Sequence, residues 1–205
     1  MSGYPSRFEA QAELDRADRL NPGPWTAHSR YAAQAAEAIA AACGLDGEKA
    51  YVLGLLHDIG RREGVSATRH VLAGYRYCLA RGWPEAARVC LTHSYLLGDV
   101  HADVQRWDLD AAESRELETL VGAARYDDYD RLIQLCDALA LPTGCCVMEK
   151  RLVDVAMRYG LTPSTLPRWR QLFAIKADFE ARMGRSVYQV LPRVVENTLE
   201  LEEEP

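Results

Sequence analysis

The chain has 205 residues and a formal net charge of −6, with 48% hydrophobic and 26% charged residues. This length suits one domain of ordinary size, and this composition excludes a disordered chain. Five of the acidic residues lie between Glu196 and Glu204, so the remaining body is nearly neutral. A surface that follows a phosphate backbone needs an excess of basic residues, so nucleic-acid binding is not expected as the main role.

The alanine and leucine content favours helices, since 29 Ala and 25 Leu stand against 14 Val and 4 Ile. Turn and cap residues divide the chain into about nine helical segments and a last one that runs into the acidic tail, with no strand-like alternation and no linker. In chain order, the predicted helices span 6–20, 25–43, 47–59 with Asp46 or Gly47 as the cap, 68–81, 84–95, 110–122, 128–139, 145–159, 164–183 and, last, 186 into the acidic tail, with a loop at 98–107. We therefore predict an all-α fold and a single domain over residues 1–205.

Signals of membrane insertion, export and disulfide formation are missing from the sequence. No run approaches the roughly 18 apolar residues of a membrane span, and positions 1–11 carry no basic region followed by an apolar stretch. The six cysteines show no CxxC spacing, and most have apolar neighbours. We expect a cytoplasmic protein with free cysteines in its core and no membrane partner.

The segment Leu55-Leu56-His57-Asp58-Ile59-Gly60 places a His-Asp pair at the end of an apolar helix, just before a glycine. An imidazole and a carboxylate buried in such a run are costly unless they have partners. A divalent cation would compensate both. The dipeptide alone is weak evidence, so its context has to carry the argument.

Two more residues repeat this pattern of a polar group in an apolar helix. Asp137 interrupts the apolar run from Leu132 to Ala140, and His28 lies in the first turn of the alanine-rich helix. Together with His57 and Asp58 they make two imidazoles and two carboxylates from three helices. Such a set suits iron, manganese or zinc, and facing helices of a bundle can direct it to one point.

The ordered pattern His28, His57-Asp58 and Asp137 resembles the HD-domain superfamily of metal-dependent phosphohydrolases. The resemblance covers about residues 25–140 and is strongest in the Leu-Leu-His-Asp-Ile-Gly segment. It implies a helical-bundle core that carries these four residues as metal ligands. The helices predicted over 145–203 are then expected to pack on this core.

Two further histidines, His70 and His93, fall between the His-Asp pair and Asp137. The dinuclear branch of the superfamily has two extra histidines in this interval. The resemblance then implies one ion on His28, His57 and Asp137, a second on His70 and His93, and Asp58 between them, with Fe or Mn favoured over Zn or Mg. The alternative is a mononuclear site with His70 and His93 at the surface or in caps. His101 lies in a polar loop and is expected to be exposed.

A phosphorylated substrate also needs a cation from the protein. Arg61 and Arg62 follow the His-Asp pair, and Arg69 precedes His70. Many superfamily members carry Lys near the position of Arg61, and a guanidinium there could hold two phosphate oxygens. We predict Asp58 and Arg61 as catalytic residues and all three arginines as substrate ligands. A solvated basic loop is the alternative.

These features favour a phosphohydrolase that cleaves a phosphate ester or anhydride of a small molecule, such as a nucleotide, by metal-activated hydroxide. Two other functions stay open. A di-iron oxygenase can use the same ligand scaffold, and a signalling module can carry a structural metal or none. The oligomeric state is not determined by the sequence.

Overall fold

The computed structural model describes residues 3–102 and 106–201, and these ranges contain ten α-helices and one pair of short strands. The helices are α1 (Arg7–Leu20), α2 (Pro24–Ala42), α3 (Gly47–Leu56), α4 (Arg69–Ala80), α5 (Pro84–Thr92), α6 (Ala111–Ala123), α7 (Asp128–Asp137), α8 (Met148–Tyr159), α9 (Thr165–Met183) and α10 (Val194–Leu199). Strands β1 (Ala140–Leu141) and β2 (Gly144–Cys145) pair antiparallel. The predicted all-α class is confirmed.

Polar side chains fix several of the helix starts that the sequence predicts. Ser6 accepts a hydrogen bond from the backbone N–H of Glu9 at the start of α1, and Asp46 accepts one from Lys49 at the start of α3. Asp110 and Asp127 form capping boxes at the starts of α6 and α7. These side chains satisfy N–H groups that have no partner within the helix.

Helices α2 and α3 approach each other closely because small residues line their interface. Ala32, Ala33 and Ala36 of α2 are fully buried. A Cβ atom on Gly54 of α3 would lie 2.9 Å from the Cα atom of Ala33, so this position tolerates no side chain without a shift. The close packing brings His28, near the start of α2, to the residues that follow α3.

One hydrophobic cluster extends from the first helix to the last. It includes Leu14 of α1, Leu53 of α3, Leu132 of α7, Phe179 of α9 and Val194 of α10. The C-terminal helices therefore share the core of the helices before them. A smaller cluster lies beneath α6 and contains Val71, Tyr95, Leu117 and Val121. None of the helices in the described ranges has the length and apolarity that crossing a membrane requires.

Several predicted segments differ from the structure in their bounds, and α5, for example, ends at Thr92. Helix α3 ends at Leu56, and a 3₁₀ helix at Ile59–Glu63 follows the His-Asp pair. Helix α8 begins at Met148 because the chain first forms β2. The predicted loop at 98–107 includes a 3₁₀ turn at Val100–Ala102, and its residues 103–105 lie outside the described ranges.

The prediction of one helix from Ser186 into the tail is wrong. The chain forms a 3₁₀ turn at Val187–Gln189 and starts α10 only at Val194. Pro192 separates the two, since proline has no N–H to donate and disfavours helical geometry in the residue before it. The acidic tail at 202–205 lies outside the described ranges.

Candidate metal centre

Helix ends bring the predicted ligands together. Apart from His28, which lies in the second turn of α2, each of them stands at or next to the end of a helix or turn. His57 and Asp58 follow α3, His70 is the second residue of α4, His93 follows α5, and Asp137 is the last residue of α7. All six are buried or partly buried, and the structure gathers them in one region.

Gly60 explains how α4 can pack against the His-Asp segment. A Cβ atom on Gly60 would overlap the backbone of His70 and Gly74. Glycine is therefore required by the close approach of two backbone segments. This contact places His70 beside Asp58, so the glycine after the His-Asp pair has a direct role in forming the site.

The first candidate ligand set consists of His28, His57 and Asp137, whose ligand atoms lie within 4.8 Å of one another. His28 Nε2 is 3.0 Å from Oδ1 of Asp137. The His28 and His57 rings meet edge to face, with centroids 5.4 Å apart.

The second candidate set is formed around Asp58. His57, Asp58 and His93 offer ligand atoms within 4.8 Å of one another. Oδ1 of Asp58 lies 3.1 Å from His70 Nε2 and 3.6 Å from His93 Nε2, and Oδ2 lies 3.9 Å from His57 Nε2. Asp58 is therefore next to both sets, as the resemblance to the dinuclear branch implies.

The four histidines share one orientation: each has Nδ1 beside a backbone carbonyl oxygen and Nε2 directed at the carboxylates. The Nδ1 partners are Ala140 for His28, Gly54 for His57, Ala67 for His70 and Cys90 for His93. A carbonyl oxygen only accepts, so each Nδ1 carries the proton and each neutral ring keeps a lone pair on Nε2. This is the usual orientation of metal-binding histidines.

Two atoms of this cluster lack a hydrogen-bond partner within the described part of the chain. They are Nε2 of His57 and Oδ1 of Asp58, and both are buried. A buried acceptor without a partner is costly. Nε2 of His28 also lies close to a carboxylate oxygen, Oδ1 of Asp137. Two acceptors at this distance repel each other unless a proton or a metal ion lies between them. The residues present therefore fit a bound divalent cation.

The electrostatics favour the protonation states that ligands need at four of the candidate ligands, whereas at His93 burial is outweighed by Asp58, which raises the pKa of the imidazole. Burial is the main cause that lowers the pKa of His57 to about 4, and burial together with Arg61 lowers the pKa of His70. Burial acts to raise the pKa of Asp58 and Asp137, but the neighbouring cations and histidines outweigh it and hold both pKa values below their usual range. Neutral imidazoles and ionised carboxylates are the forms that bind metal.

Comparison with protein families decides the identity of this fold. The family model described as HD domain matches residues 26–141, which is more than half of the chain. The chain belongs to the HD-domain family. The matched region contains all six candidate ligands and agrees with the region predicted from the sequence. No curated protein and no solved structure matches the chain.

Arg61 is the predicted substrate ligand that lies at the HD-domain cluster. Its Nε donates a hydrogen bond of 2.6 Å to Oδ2 of Asp58, and its Nη2 lies 3.4 Å from Nε2 of His70. The side chain also lines a cavity of about 540 Å³ that opens over the cluster.

Arg62 and Arg69, the other two predicted substrate ligands, do not line this cavity. The guanidinium of Arg62 stacks on Tyr77 and lies 3.7 Å from Glu13, while Arg69 pairs with Glu113 at an exposed position. The 3₁₀ turn after the His-Asp pair directs successive side chains to different sides, so adjacent arginines do not share a target. His101 is exposed beside Glu118, as predicted.

Sequence reasoning missed the part of the cavity wall that comes from outside the matched region. Trp25 lies at the start of α2, Arg151 and Tyr159 on α8, and Trp169 on α9. No motif or spacing marks these residues, because only the packing of α8 and α9 over the HD-domain core brings them to the site.

Proposed function

We propose that this HD-domain protein is a metal-dependent phosphohydrolase that cleaves a phosphate ester or anhydride bond in a small molecule, such as a nucleotide. The observation that carries the proposal is the juxtaposition of a buried ligand cluster, an arginine and a cavity. His28, Asp58, His93 and Asp137 line the same cavity as Arg61. Its volume of about 540 Å³ falls within the range of small-ligand pockets, roughly 300–1,000 Å³.

Each part of the site has a role in this reaction. The bound metal would supply Lewis-acid activation of water and of the phosphoryl group. Asp58 and Asp137 supply the negative charge that holds the cation. Arg61 would bind phosphoryl oxygens through its fork of N–H groups. Apolar side chains of the cavity wall, including Leu141 and Leu172, would limit the access of bulk water.

The arrangement supports two ions of unequal affinity. The first would bind to His28, His57 and Asp137 with Asp58 beside it, where a buried lone pair has no other partner. The second would bind to Asp58, His70 and His93, but there Arg61 approaches His70 Nε2, and the Ser94 hydroxyl lies 3.1 Å from His93 Nε2. A mixed imidazole and carboxylate set favours Fe or Mn over Mg.

The cellular setting is part of the same proposal. All six cysteines are free, although Cys78 and Cys90 lie with their sulfur atoms 3.8 Å apart. Free thiols at this distance fit the reducing cytoplasm. A small phosphorylated metabolite of that compartment is the proposed partner.

Metal reconstitution followed by phosphate-release assays tests the function. Protein loaded separately with Mn²⁺, Fe²⁺, Zn²⁺ or Mg²⁺ is assayed against a panel of phosphate monoesters and nucleotides, with metal content measured in parallel. We expect hydrolysis with at least one transition metal and loss of both metal and activity in Asp58→Ala. Asp15→Ala serves as the control, because Asp15 is an exposed partner of Arg30 and belongs to neither candidate ligand set.

Two outcomes would contradict the proposal. One is wild-type protein that stays metal-free under these conditions. The other is an iron-loaded protein that consumes dioxygen and hydrolyses none of the panel, which would favour the oxygenase.

A further inference from the structure

The wall of the cavity combines two chemically different groups of residues. One group comes from the HD-domain core and consists of the polar residues of the cluster and Arg61, namely His28, Asp58, Arg61, His93 and Asp137. The other group comes from α8, α9 and the start of α2 and includes three aromatic residues, Trp25, Tyr159 and Trp169. These three aromatic residues lie outside the residues that the family model matches.

Arg151 of α8 adds a second guanidinium to the cavity wall close to the cluster. Its Nη2 lies 4.0 Å from Oδ1 of Asp137, and its Nη1 donates a hydrogen bond of 3.1 Å to Asp154. Its Nε is buried and has no hydrogen-bond partner within the described residues. A buried donor of this kind is satisfied when an acceptor enters the cavity.

Arg61 and Arg151 thus stand beside different carboxylates of the same cluster. Arg61 contacts Asp58, and Arg151 lies next to Asp137. A phosphoryl group at the cluster would therefore meet a guanidinium at each of the two carboxylates. Such groups bind phosphate oxygens in a planar, two-pronged geometry.

The other two arginines of the cavity are already engaged. Arg158 donates to Asp154 at 2.9 Å, and Arg168 donates to the backbone oxygens of Ser94 and Ala102. Asp154 itself lines the cavity and accepts hydrogen bonds from both Arg151 and Arg158, so fewer of their N–H groups remain for additional phosphate groups. Away from the cluster, the wall therefore favours an uncharged, flat group over a chain of phosphates.

We infer that the substrate is a phosphate monoester whose organic part carries a flat ring, with Arg151 binding the phosphoryl group and Trp169 packing on the ring. The inference rests on the proposed function for the chemistry and adds the class of substrate. It assigns the selection of that substrate to α8 and α9, and it disfavours polyphosphates.

Binding of phosphonates to the metal-loaded protein tests this inference without turnover. Benzylphosphonate carries a ring, ethylphosphonate has none, and methylenediphosphonate carries two charged groups. Each is titrated anaerobically by calorimetry. We expect wild type to bind benzylphosphonate about fivefold more tightly than ethylphosphonate, from contact of the ring with the aromatic wall, and methylenediphosphonate no more tightly than benzylphosphonate.

Two variants separate the roles of the charged and aromatic residues. Arg151→Met is expected to weaken the binding of both monophosphonates by about tenfold while the protein retains its metal. Arg151→Lys should recover part of the lost affinity. Trp169→Ala should remove the preference for the ring and leave ethylphosphonate binding unchanged. Arg170→Met and Trp107→Ala are the matched controls, since neither residue lines the cavity.

Unchanged affinities in Arg151→Met, or equal binding of the two monophosphonates to wild type, would overturn the inference. Binding of methylenediphosphonate more tightly than benzylphosphonate would also overturn the inference. If the protein hydrolyses phosphate esters without these preferences, the inference fails and the proposed function stands. If the preferences hold and no ester is hydrolysed, the proposed function fails instead.

Discussion

Arg61 donates a 2.6 Å hydrogen bond from Nε to Oδ2 of Asp58 while its Nη2 lies 3.4 Å from Nε2 of His70. The same guanidinium thus contacts two residues that are proposed to bind the second ion. A cation at His70 has to compete with this fixed positive charge. The two metal positions of the site are therefore expected to differ in affinity, since the guanidinium beside the first position, that of Arg151, lies farther from its ligand, 4.0 Å from Oδ1 of Asp137.

Replacing Arg61 by methionine is expected to raise the metal affinity of the second position and leave that of the first unchanged. Because one positive charge beside the second position is removed, its affinity for the ion should rise by about tenfold. Calorimetric titration of metal-depleted protein with Mn²⁺ measures the affinities of the first and the second binding step. Arg62→Met is the control, because Arg62 is adjacent in sequence but lies against Glu13 and Tyr77. A single binding step in wild type and in Arg61→Met would indicate a mononuclear site.

Arg61 is also expected to contribute to the rate of hydrolysis. Charge that develops on the phosphoryl oxygens needs more donors than the metal can supply. Arg61→Ala should lower kcat by roughly 10²-fold, the size typical of one electrostatic stabiliser, and Arg61→Lys should recover only part. Steady-state kinetics on any accepted phosphate ester measures this. A rate within about threefold of wild type would remove Arg61 from the catalytic residues.

Gly60→Ala is expected to destabilise the protein, because the new Cβ atom would overlap the backbone of His70 and Gly74. The expected loss in the free energy of unfolding is about 1–3 kcal/mol, as for other overpacked sites. Denaturant unfolding measures it. Gly122→Ala is the matched control, since Gly122 lies within α6 and its Cβ would meet open space. That change should be neutral or stabilising, by up to about 1 kcal/mol. A loss of similar size in both variants would argue against the close approach at Gly60.

Glu13 should give the fold a measurable pH dependence. Its carboxylate is buried and bonded to Tyr77, Arg16 and Arg81. Burial acts to raise its pKa, but Tyr77 and the two arginines outweigh burial and lower the pKa from its ordinary value of 4.5. A lowered pKa in the folded state means that the stabilisation is fully present above 4.5 and is lost as the pH falls through the folded-state value.

Glu13→Gln is therefore expected to cost roughly 2 kcal/mol of unfolding free energy at pH 7, because a charged hydrogen-bond acceptor is removed. The gap between wild type and Glu13→Gln should shrink as the pH falls below 4.5. Urea unfolding across this range measures the gap. Glu9→Gln, at an exposed position of the same helix, should differ little from wild type in unfolding free energy at any pH. A gap that stays constant below pH 4.5 would contradict the role of the ionised carboxylate.

Local signals in the sequence were sufficient for most of the fold. The starts of α1, α3, α6 and α7 follow from capping side chains, which act within one turn of the chain. The Leu-Leu-His-Asp-Ile-Gly segment and the ordered histidines also indicate the HD-domain core that the family model matches. Local chemistry failed at the last helix, where Pro192 interrupts a segment that otherwise favours helix.

The helical class, the family and the six candidate ligands can be predicted from the amino-acid sequence, because they depend on residue types and their order along the chain. The surroundings of these ligands depend on tertiary packing. Arg69, the first residue of α4, pairs with Glu113 instead of lining the cavity. Tertiary packing keeps Arg61 in the cavity and turns Arg62 away from it, since a 3₁₀ turn distributes neighbouring side chains around its axis. It also brought Arg151 and Trp169 over the cluster, because that position depends on how α8 and α9 bury their apolar faces against a core formed by distant parts of the chain.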